Sequence, residues 1–188
     1  MGVQVAKKQG NQSAGTVKSP SPNLTSKIRH GRAINAVGSY LRSSLRVPII
    51  YLEPKLKVGS SSIDVLAVDA AGSGDIHAVE AKIPNNFVTS LPNLKAYLSA
   101  LRAFPSHYKW LVLPDTSATQ RLSTHTSLFA SNGLGRVGIL LVAEDAERSD
   151  LPQVTALVRA ERFRVPADDL VSIERFIEKH KPDIEVRV

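Results

Sequence analysis

Cysteine is absent from this chain of 188 residues. Disulfides and thiolate-ligated zinc are thereby excluded, and the composition fits a cytoplasmic setting, which is the expected location. No apolar run approaches the roughly 20 residues that span a bilayer. The N-terminus is basic at Lys7 and Lys8 but then polar, without the apolar core of a signal peptide, so no membrane role is expected. Missing too are a Gly-rich phosphate loop, a Gly-x-Ser-x-Gly turn and a His-Glu-x-x-His pair. None of the chemistries tied to those motifs has its carrier here.

Acidic residues are missing from positions 1–52, which hold eight basic ones: Lys7, Lys8, Lys18, Lys27, Arg29, Arg32, Arg42 and Arg46. The rest of the chain carries 16 basic and 17 acidic residues, so the excess behind the net charge of +7 lies in this one stretch. A one-sided basic segment is the expected footprint of a polyanion partner. The competing explanation is a tail that only aids solubility. An ordinary apolar content over this length predicts one domain with a sizeable core.

Against these absences stand two short apolar runs, residues 63–68 and 76–83. Both read as strands, rich in Val and Ile and bounded by turn residues at 59–61, 71–74 and 84–86. Side chains alternate along a strand, so Glu80 and Lys82 share a face, and a hairpin brings Asp64 to it. His77 falls on the opposite face and is given no catalytic role. Two carboxylates and an ammonium on one sheet face are the parts of metal-assisted phosphodiester hydrolysis. The acids hold a divalent cation, and the lysine orients water or stabilises negative charge on the phosphate. Glu and Lys two residues apart also occur on solvated strand faces, where they pair weakly. Asp64 favours the chemistry: Asp is depleted in strands, and a carboxylate buried in an apolar run is costly unless paired or bound to a metal.

Asp64, a hairpin, then Glu80-Ala81-Lys82 resembles the core of the PD-(D/E)xK nuclease superfamily, which includes many restriction endonucleases, archaeal Holliday-junction resolvases and Mrr-like enzymes. Residues 51–54, 57–59 and 63–67 are similar to the first strands of those proteins. Asn93-Leu94-Lys95-Ala96-Tyr97 stands where the following helix often carries Gln-x-x-x-Tyr, with Asn in place of Gln. The resemblance covers about residues 45–143. It implies an α/β, restriction-endonuclease-like fold, a central mixed sheet flanked by helices on both faces. It also implies a Mg2+-dependent endonuclease acting on DNA, with Mn2+ as a substitute ion. By the same resemblance Asp64, Glu80 and the Ala81 carbonyl are metal ligands, Glu53 adds a ligand or a water contact, and Lys82 is the catalytic lysine. Asn93 and Tyr97 lie beside the site. Two departures stand out: Ile63 occupies the Pro position, and the first-helix Glu of many members has no counterpart, which leaves a second metal site without a carrier. The alternative is a non-catalytic module on the same fold that binds nucleic acid or a partner. Cutting both strands would favour a homodimer.

In chain order, residues 1–23 read as a flexible basic arm ahead of one α/β domain at 24–188. Residues 25–45 read as an amphipathic helix with Ile34, Val37, Leu41 and Leu45 at helical spacing. Arg29, Arg32 and Arg42 lie mostly off that stripe, as phosphate contacts or as solvated charges, and His30 reads as a surface residue. Residues 47–53 read as a first strand ended by Pro54. A helix is expected at 90–104, where Lys95 and Arg102 are further phosphate contacts and Tyr97 belongs to the core or the site. Residues 109–114 and 138–143 read as buried strands, with Trp110 in the core, and 116–131 as a helix. A charged loop follows at 144–152, then an edge strand at 154–165. A closing helix at 167–180 has Asp168 and Asp169 at its start and Lys179 and His180 at its end, which suits the helix dipole. The alternation of strand and helix from 75 to 143 predicts parallel crossovers.

Overall fold

The computed structural model describes residues 22–69, 74–83, 98, 101–121, 135–143 and 152–180. Residues 1–21 of the N-terminal arm, the 70–73 turn, Asn93, Lys95 and Tyr97, most of the 116–131 stretch and the charged loop at 144–151 lie outside the described residues.

The first helix, α1 (Pro22–Ser44), turns Ala33, Ile34, Val37 and Leu41 into the core, as their spacing requires. It stops where Arg46 takes a left-handed backbone (φ 57) and the Leu45 and Val47 amides both donate to the Leu41 carbonyl. The chain then builds β1 (Ile49–Leu52), β2 (Val65–Val68), β3 (Ile76–Ala81), β4 (Tyr108–Pro114), β5 (Gly138–Val142) and β6 (Val154–Val158). The six strands form one sheet in sequence order. β1 to β3 are antiparallel, β3 to β5 are parallel, and β6 closes antiparallel on β5. An antiparallel start leading into parallel crossovers is the expected α/β arrangement.

Four of these strands are buried along nearly their whole length, as strands covered on both faces are. On one face Leu66, Ala78, Leu111 and Ile139 pack with Leu98, Leu101 and Phe104 and with Leu170 and Ile173 of the last helix, α3 (Ala167–Lys179). On the other face Val65, Val79, Trp110 and Val112 pack under α1. Helices therefore cover both faces. Between β4 and β5 lies α2 (Ser117–Gln120), closed by a capping box between Thr116 and Thr119. No described helix is long and apolar enough to cross a membrane.

Several boundaries differ from expectation: α1 begins at Pro22 and not at 25, β2 begins at Val65 and not at 63, and β3 ends at Ala81 and not at 83. The first strand runs over Ile49–Leu52 and not 47–53; at its end Glu53 sits at φ 46, which breaks the extended backbone one residue before Pro54. The last strand ends at Val158 instead of continuing to 165. Its pairing with β5 already slips between Ile139 and Leu140, and residues 159–166 are held by single bonds such as Phe163 N–H to the His107 carbonyl (2.7 Å). The four-residue α2 is all that is described of the expected helix at 116–131, apart from its ends.

Candidate functional site

Asp64 is fixed by backbone before its side chain acts. Its N–H donates to the Val79 carbonyl (2.9 Å) and its carbonyl accepts from Glu53 N–H (2.7 Å). It stands one residue ahead of β2, not inside the strand as expected, and its side chain is 22% exposed. Because β2 starts only at Val65, the Ala81 amide at the end of β3 reaches beyond that ladder. The Asp64 carboxylate takes the ladder's place: Oδ2 accepts from Ala81 N–H at 2.7 Å. The next amide, Lys82 N–H, points the other way and donates to the Val112 carbonyl (2.9 Å). A trans peptide sets its C=O opposite to its N–H, so the Ala81 carbonyl faces the Asp64 side.

Glu80 and Lys82 share a face, as the strand alternation requires, and their side chains form an ion pair. The buried carboxylate of the site is Glu80, whose side chain is 9% exposed. Burial pushes its pKa above the ordinary value. Lys82 and His30 oppose that shift and the Asp64 charge adds to it. The expectation of a costly buried carboxylate thus holds for Glu80 rather than for Asp64.

His30, read from the sequence as a surface residue, belongs to the site. Its Nε2 lies 3.4 Å from Asp64 Oδ1. That contact raises the pKa of the imidazole against partial burial, with a further contribution from the Glu53 charge. The signal was present in the sequence: His30 precedes Ile34, Val37 and Leu41 at spacings of four, three and four, so it heads the stripe that faces the sheet. Glu53 borders the site through its backbone bond to Asp64, and its side chain is exposed. Arg29 and Arg42 are exposed on α1, whereas Arg32 is partly buried and already engaged. Asn93, Lys95 and Tyr97 lie outside the described residues.

Among the described residues no three His, Cys, Asp or Glu side chains gather as a ready-made metal cluster. The donors at hand are two carboxylates and a carbonyl. All are hard oxygens, a set that suits Mg2+ or Mn2+ keeping several of its waters. A poorly solvated Glu80 beside a second carboxylate is the kind of charge distribution that a bound cation relieves. The residues therefore fit such an ion. Comparison with protein-family models, with curated proteins and with solved structures gives no match.

Proposed function

We propose that this protein is a Mg2+-dependent endonuclease that hydrolyses DNA phosphodiester bonds, built on a restriction-endonuclease-like sheet of the PD-(D/E)xK type. One observation carries the reading. Asp64 is anchored on the Ala81 amide at the point where the neighbouring strand presents the Glu80–Lys82 pair. When bound, a divalent cation would polarise the scissile phosphate and lower the pKa of a coordinated water. Asp64, Glu80 and the Ala81 carbonyl are the groups to hold it.

The other roles belong to the chain itself. Lys82 has three donors, and its pairing with Glu80 leaves donors to orient water for in-line attack and to stabilise charge on the phosphate oxygens. His30 steadies the Asp64 carboxylate from the helix side. Arg29 and Arg42 on the exposed face of α1 supply positive charge for the DNA backbone. The test is cleavage of labelled DNA by wild type and Lys82→Ala with and without Mg2+. Metal-dependent cutting lost in the variant supports the reading. Salt-sensitive DNA binding without cutting by either protein replaces it with a binding module.

A further inference from the structure

A second site lies at the other end of the sheet. Between the C-terminal half of α1 and the β3 and β4 strands is a partly open cleft of about 580 Å³. That volume falls within the usual range for small-molecule sites, roughly 300–1,000 Å³. It has room for a nucleotide and none for a base-paired helix. His30 and Tyr40 mark the two sites on α1, separated by about 15 Å of helix. In β3, His77 faces the cleft and Glu80 the opposite side of the sheet.

Two partly exposed tyrosines, Tyr40 and Tyr108, line the cleft. His77 is 7% exposed and its ring stacks on Tyr108, with centroids 4.6 Å apart and an interplanar angle of 18°. Trp110 Nε1, which can only donate, bonds to His77 Nδ1 at 3.2 Å. Nδ1 is therefore the acceptor of the ring, and in the neutral imidazole Nε2 carries the proton. Burial keeps the ring neutral by lowering its pKa to about 4. No atom among the described residues accepts from Nε2–H. The two acids of the cleft are already engaged: Arg162 holds Asp75 at 2.8 Å, and Asp69 has a partner of its own. Two exposed cations border the cleft, Arg159 in its lining and Arg46 between the lining residues Leu45 and Val47. Neither has an ion-pair partner among the described residues. What the cleft offers a ligand is thus aromatic surface, one fixed neutral donor and positive charge at the border.

Every nucleobase has a flat π-face and an acceptor on its edge, whichever of the four it is. A single neutral donor meets that acceptor without telling the bases apart. A paired base stays in its stack and does not reach a donor recessed in a cleft. We propose that the cleft holds one unpaired base of a DNA strand, of any identity. The base stacks on tyrosine and accepts from His77 Nε2–H, and the strand's phosphates lie on Arg46 and Arg159. An aromatic platform beside cationic side chains is the general means of sequence-tolerant single-strand binding. The proposal deepens the DNA reading and rests on it, but not on cleavage, because the cleft is separate from Asp64, Glu80 and Lys82. It makes DNA with unpaired bases, and not intact duplex, the preferred partner.

Trp110 is the only tryptophan in the chain and lines the cleft, so its fluorescence reports occupancy. The full chain, kept in EDTA so that binding is read without cutting, is titrated with end-labelled oligo(dT), oligo(dA), a duplex and an abasic strand, all of one length. Anisotropy gives affinity and Trp110 quenching gives occupancy. Both homopolymers should quench Trp110 and bind at least about tenfold more tightly than the abasic strand or the duplex, since one stacked base supplies that much. Tyr40→Phe keeps the ring and should bind as wild type. Tyr40→Ala should weaken homopolymer binding by about tenfold and leave duplex binding unchanged. Arg159→Ala, at an exposed position, should lower the salt slope for the homopolymers by about 1. Circular dichroism confirms the fold of each variant. Homopolymers bound no more tightly than the abasic strand or the duplex overturn the proposal and leave the DNA reading standing. So does quenching by only one homopolymer, and so does unchanged homopolymer binding in both Tyr40→Ala and Arg159→Ala. Failure to bind any of the four DNAs overturns the DNA reading together with the proposal.

Discussion

Gly138→Ala should destabilise the protein by about 3 kcal/mol, whereas Gly31→Ala should stabilise it. Gly138 pairs with Trp110 across the β4–β5 ladder, and the indole folds over it. A Cβ there would sit 2.3 Å and 2.5 Å from two ring carbons of Trp110 and 2.8 Å from the Ala160 backbone nitrogen. Ordinary carbon contacts are about 3.5–4.0 Å, so the overlap with the ring exceeds roughly 1 Å. The ring is not free to swing away: its Nε1 is bonded to His77, which is stacked on Tyr108. Overpacking costs about 1–3 kcal/mol and sometimes more, and a tethered ring facing a backbone atom puts this site at the upper end. At about 2–4 °C per kcal/mol for a chain of this size, Tm should fall by about 6–12 °C. Gly31, inside α1, has nothing within 4 Å of its would-be Cβ. There Ala should add roughly 0.5–1 kcal/mol through helix propensity. Thermal and urea unfolding followed by circular dichroism measure both. A Gly138→Ala protein within about 0.5 kcal/mol of wild type would refute the packing argument, since that is the usual scatter of neutral surface changes.

Three further predictions concern the site and its supports. Asp64→Ala leaves the Ala81 amide without its acceptor and should cost about 1–3 kcal/mol. Asp64→Asn keeps an amide oxygen there and should stay near wild type in urea unfolding while losing the negative charge of the site. Lys109 is 7% exposed, caps the Leu101 and Phe104 carbonyls, and has its pKa lowered by burial from 10.5 to about 8. The unfolded chain then binds more protons between about pH 8 and 10.5. Stability should rise with pH across that window, and Lys109→Met should flatten the slope in unfolding measured at several pH values. Arg29→Ala and Arg42→Ala should each reduce the slope of log affinity for DNA against log salt by about 1. Anisotropy titrations at graded ionic strength test this, and unchanged slopes would remove α1 from the DNA interface.

The core of this fold was legible because it is periodic. Ile34, Val37 and Leu41 on α1, and the apolar runs of β2 to β5, follow spacings that allow little else. What escaped depends on single backbone torsions or on distant neighbours. Nothing in the residues around Glu53 signals its positive φ, which ends β1 early, and nothing around Asp64 signals that β2 starts only at Val65. His30 was legible but outweighed: its spacing places it on the apolar stripe, while its polarity suggested solvent. The role of Trp110 was half visible. Its place in the core follows from the strand pattern, but its bond to His77, 33 residues earlier in the chain, exists only because β3 and β4 run side by side.

The central claim is that Asp64, Glu80 and Lys82 form a cation-dependent hydrolytic site. Its most direct test is cleavage of labelled single-stranded, duplex, flap and four-way-junction DNA with Mg2+, Mn2+ or EDTA. Wild type is compared with Lys82→Ala and with Asp64→Asn. The account predicts cutting of at least one substrate with either metal, none in EDTA, and none by either variant, although both remain folded and bind DNA. Cutting that persists in EDTA, or in both variants, would contradict it.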